Sequence, residues 1–374
     1  MERISVFQLF TLTVCFQIGT TVIFGFASSA GRDAWLSSLI SMSIGIIIIV
    51  MHTFLMKYNP GLTLVEWFPA QFGRWLGVPL AWLYPLNFLY LGGRTLADMK
   101  SLIPATLLPG TPSWFVIAAM LLVIIYCLFS GIEVLARLIE YLLPTLFLFF
   151  IIEIVLFFSS GLVHFKNLQP IVGQGWGKVW SAVWPTGISI SFAETLTLAT
   201  IWPLVKKPEK IRKTTILATI VAGLTITVFT LMEITVFGGD ILQHTLYPLY
   251  MLIRQISLAD FLENLDAMVA LTMIITAYIK ITIYLFAAIR STQLLMNMRS
   301  SASLIFPIAF ISYLLCMTMS NNINEHIYSG LINAQKTLSS ILLYVVLPSL
   351  LLIVTLVRKK WSKQPKEAGK YEEL

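Results

Sequence analysis

The sequence repeats one pattern along almost its whole length, an apolar run of about 20 residues followed by a short polar turn. One such run forms a helix long enough to cross the roughly 30 Å hydrocarbon core of a bilayer. Of the 374 residues, 57% are hydrophobic and only 11% are charged, whereas soluble domains contain about 25% charged residues. We therefore predict an all-α integral membrane protein with ten transmembrane spans at about 5–27, 35–56, 79–104, 113–130, 139–159, 182–204, 213–236, 265–289, 302–320 and 338–357.

The spans leave room for one transmembrane domain, residues 1–357, and a basic tail, residues 358–374. Aromatic and apolar residues recur in the longer connections, so we expect short helices in the plane of the membrane interface there. These connections are 57–78, 160–181, 237–264 and 321–337.

The formal net charge is +7, but the basic residues lie between apolar runs and show no nucleic-acid-binding motif. We expect no nucleic-acid partner and a surface in contact with membrane lipid. The basic residues concentrate in alternate connections and in the tail, which predicts that both termini are cytoplasmic. The three cysteines lie far apart in apolar runs, so neither a disulfide framework nor a metal site is expected.

Ten spans can form two inverted halves of five, in which spans one and six correspond. Span one is interrupted by Gln-Ile-Gly-Thr-Thr at 17–21, and span six carries Trp-Pro-Thr-Gly at 184–187 before Ser-Phe-Ala-Glu at 191–194. Paired interruptions of this kind indicate broken helices around a central site. Glycine and proline also occur in other spans, where they serve close helix packing.

Ionisable side chains inside the spans are the second strong signal, because each costs roughly 2.5–3.5 kcal/mol to insert without a partner. We predict a buried charge network that consists of Arg94, Asp98, Glu153 and Glu233. Arg94 and Asp98 share one helix face, where a structural ion pair is the plainer interpretation. Lys100 lies near the end of its span and is expected to reach the interface.

Glu194 and Lys280 lie deeper in the spans and carry the clearest functional potential. Glu194 follows the interruption of span six, where it could receive an ammonium group, shuttle a proton or brace the break. Lys280 could replace a bound cation, pair with a substrate carboxylate or lock two helices together. Tyr84 and Phe88 on span three form a stripe that either lines a small-molecule pocket or is ordinary packing.

Enzymatic signatures are absent from the sequence. The four histidines lie at or beyond span ends, and neither a metalloprotease motif nor a nucleophile elbow nor a Gly-rich phosphate loop occurs. We therefore expect a protein that is not an enzyme and that has no cofactor.

Four short motifs follow one another along the chain. The first three are Leu-Pro-Gly-Thr-Pro at 108–112, Ser-Gly-Ile-Glu-Val-Leu-Ala-Arg at 130–137 and Asn-Leu-Gln-Pro-Ile-Val-Gly-Gln-Gly at 167–175. The fourth is Ser-Phe-Ala-Glu at 191–194, followed by Trp-Pro at 202–203 and a Lys-rich loop. In this order they resemble the B subunit of bacterial spore germination nutrient receptors, a family within the amino acid/polyamine/organocation transporter superfamily. The similarity extends from about Ser5 to Lys360.

The resemblance implies a LeuT-like fold of two inverted five-helix repeats with broken helices one and six. It implies a nutrient-sensing subunit in the spore inner membrane, with an A subunit and a C-subunit lipoprotein as partners. The germinant in this family is a small nutrient, commonly an amino acid, whose binding triggers germination. An amino acid/proton symporter of the same superfamily is the alternative, and a channel or scaffold for partner subunits is a third possibility.

Carried over to this sequence, the resemblance assigns a germinant site to four spans. Freed backbone N–H groups at the first break would receive a carboxylate. This chain departs from the family's common Gly-x-Gly after that break, and its lysine in span eight is a second departure. The implied ligand-binding residues are Gly19, Thr20, Thr21, Tyr84, Phe88, Phe192, Ala193, Glu194, Tyr278 and Lys280.

Overall fold

The computed structural model describes residues 3–255, 265–319 and 339–362. This part is helical apart from its connections and one isolated bridge between Ile4 and Val205. The helices are α1 (Val6–Ile18), α2 (Ala34–Tyr58), α3 (Leu64–Thr106), α4 (Ser113–Ser130), α5 (Ile132–Ser159), α6 (Trp176–Ala182), α7 (Ile211–His244), α8 (Pro248–Gln255), α9 (Leu265–Leu295), α10 (Ala302–Thr318) and α11 (Leu347–Ser362).

Six stretches among the described residues are long and apolar enough to cross a membrane. Two shorter apolar helices, α1 and α10, accompany them, and α3 is long but carries three charged residues near its C-terminal end. The protein is therefore a multi-pass membrane protein, while the count of ten spans stays a prediction. The six stretches are Ser28–Tyr58, Ser113–Ser130, Ile132–Ser159, Pro208–His244, Met268–Leu295 and Ser339–Lys359.

Span one is shorter than the sequence predicts. Its helix begins with a capping box between Ser5 and Gln8 and ends at Ile18, where Gly19 adopts φ +32° and its N–H bonds the Cys15 carbonyl at 2.9 Å. A 3-10 segment follows at Ser28–Asp33, interrupted by Gly31 with φ +61°, and regular helix resumes only at Ala34. The residues after Gly19 are apolar enough to continue the helix, so hydropathy alone does not reveal the break.

The predicted span six is the most irregular part of the fold. It consists of α6, a π-turn at Val183–Gly187 and a 3-10 segment at Ala193–Thr200. Ser191 lies between the last two with φ +74°, a left-handed conformation that is rare for a residue with a side chain. This break falls within the Ser-Phe-Ala-Glu stretch.

Boundaries elsewhere differ from the predicted ones for local reasons. A capping box, in which the Thr63 N–H donates to Glu66 Oε2 at 2.8 Å, starts α3 at Leu64 instead of 79. Gly73, with φ +78°, then bends this helix, so its first turns are the helix expected in the 57–78 connection. The connection 321–337 and most of the predicted tail 358–374 lie outside the described residues.

The two broken segments are surrounded by longer helices. α1 packs along α7 and α5, and the segment Ala193–Thr200 contacts α9, α2, α3 and α1. α3 and α9 form the most extensive helix pair, and a Cβ on Gly92 of α3 would lie 2.9 Å from Leu285 Cδ2 of α9. Both breaks are thereby removed from lipid, as irregular backbone at membrane depth requires.

Candidate functional site

A buried ion pair lies where the two broken segments meet α9. Lys280 Nζ lies 3.3 Å from Glu194 Oε2, and Tyr284 donates its hydroxyl to the same oxygen at 2.5 Å. Lys280 is 3% exposed and Glu194 8% exposed, so water contributes little to either charge. Lys280 and Tyr284 are four residues apart on α9 and share one face, which allows both to reach Glu194.

Aromatic rings surround the ammonium group on α9. Lys280 Nζ lies 5.5 Å from the centroid of the Phe16 ring and 5.9 Å from that of Tyr284. The two rings contact each other edge to face at a centroid distance of 5.2 Å. The faces of aromatic rings attract cations, so these two residues help the carboxylate to stabilise a charge that lipid would reject.

Gly19 leaves the space through which the lysine side chain passes. A Cβ at this position would lie 2.6 Å from Lys280 Cδ and 2.9 Å from the Phe16 carbonyl oxygen. Gly19 therefore has two roles. It ends α1, and its lack of a side chain leaves room for the aliphatic part of the Lys280 side chain. Two residues that the sequence marks separately, Gly19 and Lys280, come into direct contact.

Side-chain hydrogen bonds join the first break to the second. The hydroxyls of Thr21 and Ser191 are hydrogen-bonded, which connects the irregular segment after α1 to the left-handed residue of span six. Gln17 Nε2 donates to Thr195 Oγ1 at 2.7 Å and to Thr219 Oγ1 at 2.9 Å. Two polar links, Thr21–Ser191 and Gln17–Thr195, therefore join the two breaks.

A small cavity lies at the first break. The cavity at the first break measures about 10 Å³ and is lined by Gly19, Val22, Phe150, Thr272 and Thr276 among others. Such a volume holds about one water molecule. Lys280 and Glu194 do not line this cavity, and in this structure the two charges compensate each other.

The two predicted ligand-binding residues on span three, Tyr84 and Phe88, lie on the side of α3 that faces the C-terminal helix. Tyr84 and Phe88 are fully buried, with ring centroids 6.2 Å apart. The Tyr84 hydroxyl donates to the Leu343 carbonyl at 2.8 Å. These residues help to form the wall between α3 and the chain before α11, and the Tyr84 hydroxyl is already engaged there.

The remaining predicted residues occupy different surroundings. Phe192 packs against Phe26 at 5.8 Å, and Ala193 and Thr20 are buried beside the breaks. Tyr278 is hydrogen-bonded to Cys127 of α4. Two residues along a helix correspond to a rotation of about 200°, so Tyr278 lies on a different face of α9 from Lys280.

The four residues of the predicted charge network lie along several helices. The described residues contain two salt bridges, Lys280–Glu194 and Arg137–Glu133, and Arg94, Glu153 and Glu233 take part in neither.

Glu153 on α5 and Glu233 on α7 are both buried. Glu153 is fully buried on α5, and its carboxyl oxygens have no hydrogen-bond partner in the described part of the chain. Glu233 of α7 faces Gly25, where a Cβ would lie 3.6 Å from Glu233 Oε2.

Asp98 is buried on α3, and Lys100 donates to the Cys316 carbonyl at 3.0 Å. No group of three or more His, Cys, Asp or Glu side chains suited to a metal occurs in the residues described.

Three residues of the site were not singled out as ligand-binding residues from the sequence, namely Phe16, Gln17 and Tyr284. Tyr284 follows Lys280 by one helical turn, so the face that carries the lysine already indicated it. Gln17 is a buried amide directly before the break, and its Oε1 has no partner among the described residues. Phe16 carries no signal that separates it from an ordinary packing residue.

Comparison with solved structures gives the fold. A nucleobase-cation-symport-1 family transporter in a closed conformation with bromovinylhydantoin bound matches with a TM-score of 0.61. The match covers 93% of this chain and 80% of the transporter at 13% sequence identity. The predicted LeuT-like all-α membrane fold is thereby confirmed, whereas the inverted repeat stays a prediction.

Comparison with known sequences gives the family. The model of the family described as "Spore germination protein" matches residues 3–325. Spore germination protein KB of Bacillus subtilis (strain 168) is 29% identical over 373 residues, which cover 99% of this chain and 98% of that protein. Spore germination protein YndE of the same strain is 26% identical over 88% of this chain and 89% of its own length. The chain therefore belongs to the spore germination protein family, whose members are permease-like membrane proteins.

Proposed function

We propose that this chain is the nutrient-sensing B subunit of a spore germinant receptor, and that its germinant is an amino acid. The observation that carries this proposal is the Lys280–Glu194 pair, placed where the breaks of spans one and six meet. A cation and an anion held 3.3 Å apart away from water match the two charges of a zwitterion.

The ligand would replace the contact between Lys280 and Glu194 with two contacts of its own, one to each side chain. Its ammonium group would bind Glu194, and its carboxylate would bind Lys280. The backbone N–H groups of Gly19 and Thr21, which the sequence predicts to be freed, donate to the Cys15 and Ile18 carbonyls at 2.9 and 2.8 Å and so are not available in this arrangement. Each protein charge keeps an opposite charge beside it throughout, so the exchange avoids an uncompensated charge in a dry site. To the predicted residues Glu194 and Lys280 the proposal adds Tyr284, whose hydroxyl holds the Glu194 carboxylate in place, whereas the Tyr84 and Tyr278 hydroxyls are engaged elsewhere.

Ligand binding requires the site to change shape. A cavity of about 10 Å³ does not hold an amino acid, so the Lys280 stem has to leave its place beside Gly19. The Thr21–Ser191 hydrogen bond couples that movement to span six. A ligand that binds only the opened arrangement shifts the population towards it, and this shift is the signal passed to partner subunits.

The setting of this function is the spore inner membrane, with both termini on the cytoplasmic side. An A subunit and a C-subunit lipoprotein are the partners that would receive the conformational signal.

Germination of spores that carry this chain with its partner genes tests the proposal. A panel of amino acids and sugars is applied to spores with the wild-type chain and to spores with Lys280→Met, at confirmed equal abundance. The proposal expects a response to particular amino acids that the variant loses or shifts and that deletion of the partner genes abolishes. Unchanged responses in the variant would contradict the site, and a response without partner genes would contradict the receptor.

An amino acid/proton symporter is the second candidate, favoured by Glu153. A fully buried carboxyl with no hydrogen-bond partner in the described residues is the kind of group that carries protons in transporters. Saturable amino acid uptake by vesicles that contain this chain alone, with loss of uptake in Glu153→Gln, would select this candidate. Absence of uptake by a correctly folded chain would contradict the symporter.

A further inference from the structure

A second cavity, separate from the ion pair, opens at the end of the molecule where basic residues concentrate. Its volume is about 510 Å³, and it lies between the C-terminal end of α2, the loop Pro60–Leu62, Trp202–Pro203 and the start of α7. Neither Glu194 nor Lys280 lines it, and the 3-10 segment that carries Glu194 continues to Thr200 before the chain reaches Trp202. This volume falls within the range of about 300–1,000 Å³ that is usual for small-ligand sites.

Arg212 is held in the wall of this cavity with most of its donors unused. Its guanidinium carbon lies 4.0 Å from the centroid of the Phe54 ring, and its Nε donates to Thr53 Oγ1 at 2.8 Å. No acceptor in the described part of the chain takes the two terminal amino groups. Stacking and one hydrogen bond fix the guanidinium group, and its two terminal amino groups stay free. Such a group can bind an anion through two parallel hydrogen bonds.

The rest of the lining supplies further donors. Trp202 contributes to the wall, but its indole N–H is buried away from the cavity and has no acceptor within the described residues, so it is not counted among these donors. α7 begins at Ile211 directly after the 3-10 turn Pro208–Lys210, and both line the cavity, so the positive dipole end of this helix adjoins it. Lys57 adds a cation, and Glu209 is the one acidic residue of the lining and is exposed to solvent.

Further cations lie around the mouth. The ammonium group of Lys359 lies 4.6 Å from the centroid of the Tyr58 ring, and Arg358 donates to the Ala70 carbonyl at 3.2 Å. The loop before α7 adds three lysines in the stretch Lys-Lys-Pro-Glu-Lys at 206–210. The potential at this end of the molecule is therefore positive and attracts anions.

We propose that this cavity binds a phosphate group, carried by an anionic phospholipid headgroup or present as free phosphate. Arginine and lysine side chains are donors without acceptor capacity, so the site suits the acceptor oxygens of phosphate and disfavours cations. Basic pockets between transmembrane helices are a known means of binding anionic headgroups. The site is independent of the proposed germinant pocket, and its failure would leave that pocket untouched.

Native mass spectrometry of the purified full-length chain tests the proposal. Short-chain phosphatidylglycerol, phosphatidylcholine and inorganic phosphate are titrated against the wild type, Arg212→Gln, Lys57→Gln and Lys213→Gln. Lys213 is the matched control, since it neighbours Arg212, carries the same charge, is exposed and does not line the cavity. Lys57 is exposed at the end of α2, so its loss does not endanger folding.

The proposal expects one tightly bound phosphatidylglycerol and weaker binding of phosphatidylcholine. Arg212→Gln should weaken phosphatidylglycerol binding about tenfold or more, because a hydrogen-bonded charge is lost. Lys57→Gln should weaken it less, and Lys213→Gln should stay within about twofold of the wild type, as exposed charges do. Competition by inorganic phosphate at lower concentration than the lipid would assign the site to free phosphate. Equal affinity for both lipids, or equal losses in Arg212→Gln and Lys213→Gln, would overturn the proposal.

Discussion

Replacement of Lys280 by methionine should destabilise the protein strongly, because it leaves Glu194 without its cation. At 3.3 Å and an effective dielectric constant of about 20, the attraction between the two charges is about 5 kcal/mol. Desolvation offsets part of it, and removal of one partner of a buried pair costs about 3–5 kcal/mol. We expect the single variant Lys280→Met, or Glu194→Gln, to lose an amount near this range, with the smaller loss in Glu194→Gln because the amide stays polar.

The double variant tests whether the two losses share one origin. The free energy of unfolding is measured for the purified chain in detergent by titration with a denaturing detergent, for the wild type, both single variants and the double variant. We expect the double variant to lose less than the sum of the single losses by about 1–3 kcal/mol. The exposed Lys166→Met variant serves as the control and should stay within about 0.5 kcal/mol of the wild type.

Additive losses would refute the reasoning, since they would mean that the lysine and the carboxylate do not stabilise each other. A loss in Lys166→Met as large as that in Lys280→Met would show that the charge alone, rather than its buried partner, sets the effect.

Two further variants probe the same site by its shape and its hydrogen bond. Gly19→Ala places a Cβ 2.6 Å from Lys280 Cδ, so the germination dose response should shift about tenfold or more at normal abundance, whereas Gly177→Ala, which meets no atom within 4 Å, should leave it unchanged. Tyr284→Phe removes the hydroxyl on Glu194 and should shift the dose response, whereas Tyr278→Phe, whose hydroxyl contacts α4, should not. Equal responses within either pair would contradict the placement of the site.

The breaks and the isolated charges were open to prediction because each violates a local rule. A Gly-Thr-Thr run interrupts an apolar helix at 19–21, and Glu194 and Lys280 are charges at membrane depth. Such violations mark functional sites in otherwise consistent sequences. The helices α2 and α4 followed hydropathy directly, because nothing within them opposes the helical pattern.

The pairing of these features was beyond the sequence. Glu194 and Lys280 are far apart along the chain, and only the packing of span six against α9 brings them to 3.3 Å. Tyr278 was grouped with Lys280 by proximity in sequence, although a two-residue step turns it to a different helix face. The sequence predicts an interruption at 17–21, but not that Gly19 gives room there to a side chain from α9. Tertiary contacts of this kind leave no trace in local hydropathy.

Direct binding of a nutrient to the purified chain tests the central claim, that the Lys280–Glu194 pair is the germinant site. An amino acid that triggers germination is supplied in radiolabelled form, and equilibrium binding is measured for the wild type, Lys280→Met and the exposed-lysine control Lys166→Met. The account predicts saturable binding to the wild type and the control, with affinity at least about tenfold weaker in Lys280→Met because the carboxylate loses a charged partner. Equal affinity in all three proteins would contradict it.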